Sequence, residues 1–169
     1  AIREGKKDFI GSNCTVSLML MAIAGLVKQD LVKAVQATTY QAISGAGAKA
    51  ITELYQQIKV TSQLVPETQN GLSLANSVHH ILQTKPHTIP QQHIPAPLAV
   101  SLIPWIDQEK CNGQSKEEWK AMVETNKILQ REHNPIAIDS TCVRTPALRR
   151  HSQSLFIELT ENIPLEIIE

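Results

Sequence analysis

The sequence carries no surplus of charge of either sign. Lys and Arg number 16 and Asp and Glu number 16, so the formal net charge is zero. That balance excludes a general nucleic-acid binder, whose basic surface must neutralise phosphates, and a polybasic membrane-surface protein. Cysteine is scarce. Cys14, Cys111 and Cys142 form neither an even disulfide framework nor a CxxC pair, which points to a reducing, cytoplasmic compartment. A long apolar run is also missing. Val16 to Val27 is the most apolar stretch and falls short of the ~20 residues that span a bilayer. It lies behind a Gly-Ser-Asn-Cys turn, too far in for a signal peptide. What remains is 169 residues, 42% hydrophobic and 19% charged, the composition of one globular domain able to bury a core. The chain opens on Ala1 in a charged stretch and stops after Ile167-Ile168-Glu169, as expected of a piece of something longer.

Ser12 and Asn13 are helix N-cap types, and a helix is expected from Thr15 to about Gln29. Its apolar residues run nearly all round the cylinder, which predicts a buried helix. Leu31 to Tyr40 is rich in β-branched residues and reads as a strand. Ser44-Gly45-Ala46-Gly47 forms a turn into a helix over 48–59, with Ile51, Leu54, Tyr55 and Ile58 on one stripe. A shorter helix is expected near 74–83. Four prolines between Pro86 and Pro97 forbid regular structure and predict an extended surface excursion. Ser115-Lys116-Glu117-Glu118 is a capping box, starting a helix to about Arg131. Two strands follow, one through Ile136, Ile138, Ser140 and Cys142, the other over 154–160. Helices and strands mix without a strict βαβ rhythm, so the fold class is α+β or a mixed-sheet α/β domain.

Cys14 is the residue most suited to chemistry. At a capped helix start, unpaired amides and the positive end of the helix dipole favour a thiolate, the nucleophile of covalent catalysis at a carbonyl. A buried structural cysteine is the plain alternative, and it is the expectation for Cys142. A nucleophilic Cys needs a base, usually a distant His. His79, His80, His87 and His93 crowd the proline-rich region without the spacing of a zinc site and read as surface residues; no metal is expected. His133 follows a charged helix end. His151 differs, because Arg144, Arg149 and Arg150 precede it in a turn between strands, a setting that suits an anionic substrate. Ser44 to Ala50 is neither a P-loop nor a G-x-G-x-x-G fingerprint. Glu117 and Lys120, three apart on a helix, read by default as a surface ion pair.

Several blocks together resemble one family. Gly11-Ser12-Asn13-Cys14-Thr15-Val16-Ser17-Leu18-Met19-Leu20-Met21 is similar to the active-site segment of the bacterial aspartate-β-semialdehyde dehydrogenases. So are Thr39 to Gly47, Ser101-Leu102-Ile103-Pro104-Trp105-Ile106-Asp107, Glu117-Glu118-Trp119-Lys120, Glu124 to Leu129, and Cys142-Val143-Arg144 through His151-Ser152. The blocks keep their order across nearly the whole chain, with 64–97 matching loosely.

The resemblance implies an α+β domain, a mixed and largely antiparallel sheet with helices on one face, like the C-terminal domain of glyceraldehyde-3-phosphate-dehydrogenase-like enzymes. It implies that Cys14 forms a thiohemiacetal and then, after hydride transfer to NADP, an acyl-thioester, with His151 as acid/base. Gln41 would orient the substrate, Arg144 would clamp its α-carboxylate, and Glu117 would meet its amino group. Lys120 and Asn13 would bind inorganic phosphate, and Ser44 and Gly45 would approach the cofactor. The substrate pair would be aspartate semialdehyde and aspartyl phosphate, and the exposed sheet face a homodimer interface. Family members run to about twice this length, so residues 1–169 would be the catalytic/dimerisation domain without its NADP-binding domain, its C-terminal helix or an upstream phosphate-contacting arginine. Hydride transfer needs a positioned nicotinamide, so the chain alone is expected to be inactive as a dehydrogenase. Two other readings stay open: a Cys/His hydrolase or acyl transferase, and a non-catalytic dimerisation module.

Overall fold

In the computed structural model, which describes residues 2–5, 7, 11–67, 70–110 and 112–168, the β-branched run forms the central strand of a sheet. That strand, β1 (Val32–Gln41), follows helix α1 (Cys14–Lys28). Helices α2 (Ala48–Leu64), α3 (Gly71–Thr84) and α4 (Lys116–Ile128) come next, then strands β2 (Ala137–Arg144) and β3 (Ser152–Leu159) and a last turn of helix, α5 (Leu165–Ile168). The strand order is β2-β1-β3. β1 pairs with β2 in parallel and with β3 antiparallel, so the expected α+β fold with a mixed sheet is found. One of its two pairings is antiparallel.

Alternation sorts the two sheet faces. Val35 and Ala37 of β1, Ile138 of β2, and Leu155 and Ile157 of β3 meet Met19, Ile23 and Val27 of α1 and Ala121 of α4 in one apolar cluster. The other face presents Gln36, Tyr40 and Phe156, the last 70% exposed. α1 and α4 thus cover one face, as expected. α1 itself corrects the expectation of burial all round: Val16, Met19, Ile23 and Val27 are buried, but Leu18 is half-exposed and Met21 is 81% exposed. The sheet and α4 reach a single stripe of it.

α2 corrects a second expectation. Its buried side chains are Ala50, Glu53, Leu54, Gln57 and Thr61, while Tyr55 and Ile58 of the apolar stripe are exposed. Glu53 and Gln57 face inward because the proline-rich segment lies there. Its backbone has no ladder partner among the described residues, and buried amides must be satisfied somehow. The Glu53 carboxylate accepts from the amides of His93 (2.7 Å) and Ile94 (3.0 Å). Gln57 accepts from Leu98 N–H (2.7 Å) and donates to Pro90 O (2.7 Å). The segment is therefore a strap fastened to α2, with Ile89, Ile94 and Leu98 buried, and not a surface excursion. His79, His80, His87 and His93 are exposed, as expected, and so is His133. Cys111 and residues 8–10 lie outside the described residues.

The α4 capping box forms as its sequence predicts, Ser115 Oγ accepting from Glu118 N–H (3.3 Å) and Glu118 accepting from Ser115 N–H (2.8 Å). The helix stops at Ile128, short of Arg131, because Gln130 takes a left-handed φ of 56°. Among the described residues no helix is long and apolar enough to cross a membrane.

Candidate active site

Strand direction gathers the chemistry-bearing residues at one end of the sheet. Gln41 and Arg144 are the last residues of two parallel strands and register partners, the end at which open sheets bind ligands. β3 runs the other way, so its start lies at the same end, with Ser152 opposite Tyr40. His151, just before it, therefore arrives beside Gln41 and Arg144. The left-handed Arg150 (φ 76°) makes the turn into it. Gln153 of β3 donates to Thr15 O (2.9 Å), which ties the first turn of α1 to the same place.

Asn13 caps α1 as its position predicts: its Oδ1 accepts from the amides of Thr15 (2.9 Å) and Val16 (3.2 Å). The cap presents Cys14 to solvent. Its Sγ lies 3.2 Å from His151 Nε2, within the range of a nucleophile and its partner. Cys142, by contrast, is core: burial pushes its thiol up, with Thr39 acting against the shift. The two cysteines thus divide into an exposed one beside a histidine and a buried one in the core.

Glu117 is the hub of the other wall. It is buried and accepts from Asn13 Nδ2 (2.8 Å), Lys120 Nζ (3.3 Å) and, at 3.5 Å, from Gln41 Nε2. The Glu117–Lys120 pair is therefore no ordinary surface pair. Glu118 fixes the helix that carries it by accepting from Cys142 N–H (3.1 Å). Arg144 is 9% exposed. Its Nη1 donates to Ala42 O (2.8 Å), and among the described residues no carboxylate pairs with it. Burial draws the guanidinium below its ordinary value, opposed by Glu117. A buried cation in this position is costly until an anion joins it. Burial, and then Arg144, hold His151 below the ordinary imidazole range, again opposed by Glu117. A folded-state value below the unfolded one of about 6.5 means that this group withdraws stability as pH falls below that value.

Asn13, Cys14, Gln41, Glu117, Lys120 and Arg144 line a common cavity of about 340 Å³. Ser44 and Gly45 lie in the short 3-10 turn Ile43–Ala46; Gly45 reaches the cavity wall, and Ser44 donates its amide to Leu148 O (3.2 Å). Gly45 has a steric reason to lack a side chain. A Cβ there would stand 3.0 Å from Arg144 Nη1 and 3.5 Å from the His151 ring. Gly45→Ala is expected to displace the guanidinium and slow alkylation of Cys14 by a carboxylate-bearing reagent more than by a neutral one. Parallel rates with iodoacetate and iodoacetamide check it; equal slowing of the two refutes it.

Sequence reasoning gave no role to two residues of this site. Asp107, left-handed at φ 73°, lines the cavity and lies 3.9 Å from Lys120 Nζ. A non-glycine residue at positive φ is uncommon, but no sequence signal marks it in Trp105-Ile106-Asp107. Ala42 acts through its backbone, which no side-chain motif reveals.

Residues 23–169 match the family described as semialdehyde dehydrogenase, dimerisation domain. The chain belongs to that family. This semialdehyde dehydrogenase domain is similar to the aspartate semialdehyde dehydrogenase of Francisella tularensis, with 48% identity and a TM-score of 0.87 over 99% of this chain and 45% of that one. It is also similar to aspartate semialdehyde dehydrogenase II of Vibrio cholerae complexed with ASA (28% identity, TM-score 0.73, 94% of this chain and 40% of that one). The enzyme of Candida albicans with NADP shares the fold at 19% identity and a TM-score of 0.51, over 97% of this chain and 35% of that one. The semialdehyde dehydrogenase domain thus spans less than half the length of each of these structures.

Proposed function

We propose that the chain is the catalytic and dimerisation domain of an NADP-dependent aspartate-β-semialdehyde dehydrogenase, a cytoplasmic enzyme of lysine, threonine and methionine synthesis. The observation that carries this reading is Arg144. A buried guanidinium with no carboxylate partner among the described residues sits in the same cavity as an exposed cysteine paired with histidine. A short aldehyde bearing an α-carboxylate satisfies both at once: its carboxylate completes the cation and its carbonyl meets the sulfur.

In this reading the Cys14 thiolate adds to the aldehyde carbon, forming a C–S bond while the carbonyl π pair moves onto oxygen. His151 stands beside that oxygen and manages its charge. Glu117 offers negative charge to the substrate ammonium, and Gln41 orients the reacting group. Loss of hydride from the carbon re-forms the carbonyl as an acyl-thioester. Inorganic phosphate, held by Lys120 and Asn13, attacks it, releases the Cys14 thiolate and gives aspartyl phosphate; the biosynthetic direction is the reverse. A bound NADP supplies the hydride acceptor or donor. Ser44 and Gly45 would approach its nicotinamide end, Gly45 standing in the cavity wall without a side chain. A second copy of the chain is the proposed cover of the open sheet face, supported by the family's description and by exposed Tyr40 and Phe156.

The test compares two proteins. One joins this chain to a nucleotide-binding domain and is expected to reduce NADP with aspartate semialdehyde and phosphate. The 169-residue chain alone is expected not to. Turnover by the chain alone refutes the division of labour; no turnover by the longer protein refutes the reaction.

A further inference from the structure

We propose that the backbone of Ala42 is a positioning element that holds His151 as the neutral imidazole with its hydrogen on Nε2, aimed at Cys14. A backbone N–H has a hydrogen and only donates. The Ala42 amide lies 3.2 Å from His151 Nδ1 in donor geometry, so Nδ1 accepts. A neutral imidazole accepting at Nδ1 carries its single hydrogen on Nε2. That nitrogen is the one 3.2 Å from Cys14 Sγ. The sulfur therefore faces a donor, an arrangement that suits a thiolate lone pair.

The imidazolium would place an Nδ1–H against the Ala42 N–H and leave both without an acceptor. Ala42 is 0% exposed, so water cannot take over its N–H, and an orphaned buried donor is expensive. The residue cannot swing away. Its carbonyl is held by Arg144 Nη1 at 2.8 Å. On either side of it, Thr145 N–H donates to Gln41 O (3.0 Å), Ile43 N–H to Ala147 O (2.9 Å) and Ser44 N–H to Leu148 O (3.2 Å). Those three bonds dock the loop that ends in His151, so donor and acceptor move as one unit. Among the described residues, three charged or titratable groups act on this ring: Cys14 at Nε2, Arg144 from β2 and Glu117 from α4. Burial and the guanidinium favour the neutral ring, and Glu117 opposes them.

For the chemistry this means that the thiol proton goes to solvent rather than to Nε2 before attack. When the thiolate adds to the carbonyl, the imidazole donates a hydrogen bond to the new alkoxide without surrendering its proton. That use rests on the reaction proposed above; the tautomer does not, because it is read without substrate or cofactor.

The test labels the histidines of the 169-residue chain with ¹⁵N and records long-range proton–nitrogen spectra, assigning His151 by its loss in His151→Gln. The expected pattern at pH 7 is a protonated Nε2 and an unprotonated Nδ1. It is expected to persist at pH 6, where an ordinary imidazole with a pKa of about 6.5 is mostly charged. An Nδ1–H tautomer or an imidazolium at pH 7 overturns the inference. Alkylation of Cys14 by iodoacetamide supplies a second readout. His151→Gln keeps an N–H donor and is expected to retain most of the rate, while His151→Ala loses about tenfold. Equal loss in the two variants would identify a base and overturn the inference. A confirmed tautomer in a protein whose Cys14 ignores aspartate semialdehyde would remove the reaction and leave the inference standing.

Discussion

Arg144→Leu is expected to weaken the protection of Cys14 by aspartate semialdehyde about 30-fold or more, read as the aldehyde concentration that halves alkylation of the 169-residue chain. Truncating one partner of a buried, hydrogen-bonded charge pair costs about 2–5 kcal/mol, and the lower figure is already about 30-fold. Arg144 meets the conditions for the full effect. It is 9% exposed, so solvent does not screen the contact, and its other fixed partner is a carbonyl, Ala42 O, which does not neutralise it. The control is the same aldehyde without its α-carboxylate. That compound is expected to protect wild type and Arg144→Leu alike. A comparable loss for both aldehydes would mean that the substitution acts through the orphaned Ala42 carbonyl and not through the substrate.

The second large effect concerns stability. Gln57→Leu is expected to lower Tm by about 10 °C, since roughly 2–4 °C follows each kcal/mol in a chain of this size. Gln57 is 0% exposed and makes four bonds to the strap: two short ones, to Pro90 O and from Leu98 N–H, both 2.7 Å, and two longer ones, to Ala96 O and from Ala99 N–H. Each buried group stranded by the change costs about 1–3 kcal/mol, and the two short bonds alone sum to several. The neighbouring Tyr55→Ala, on the exposed side of α2, is expected to stay within about 0.5 kcal/mol of wild type. Calorimetry on the two variants separates a strap fastened by Gln57 from a helix held by its apolar stripe; a larger drop for Tyr55→Ala would favour the stripe.

Those two α2 residues also show where sequence reading loses its grip. The helix itself is plain in the period of its apolar residues, as are the β1 run, the capping box before α4 and the Ser-Asn cap before Cys14. Each is a local signal with a local cause. The inward face of α2 is not local. Glu53 and Gln57 are polar, and the proline-rich backbone beneath them explains their burial. α1 errs the other way, with an all-round apolar sequence and one covered stripe.

The site divides along the same line. Cys14 is legible from its cap, and His151 and Arg144 from the arginine-rich turn. Their meeting depends on a parallel pairing of β1 with β2 and an antiparallel return of β3, which no stretch of sequence announces by itself. Glu117 and Lys120 look like a surface pair until α4 is docked by the Glu118–Cys142 bond. Ala42 and Asp107 leave no trace, one because it works through its peptide groups and the other because its left-handed backbone is a product of the fold.

The central claim is that Cys14 and Arg144 read the two ends of one short aldehyde. A crystal structure of the 169-residue chain soaked with aspartate semialdehyde tests it most directly. The expected result is electron density continuous from Cys14 Sγ to the aldehyde carbon, with the α-carboxylate on the Arg144 guanidinium and the new oxygen within reach of His151 Nε2. Aldehyde bound at Cys14 with its carboxylate away from Arg144, or an unmodified Cys14 beside an occupied Arg144, would contradict it.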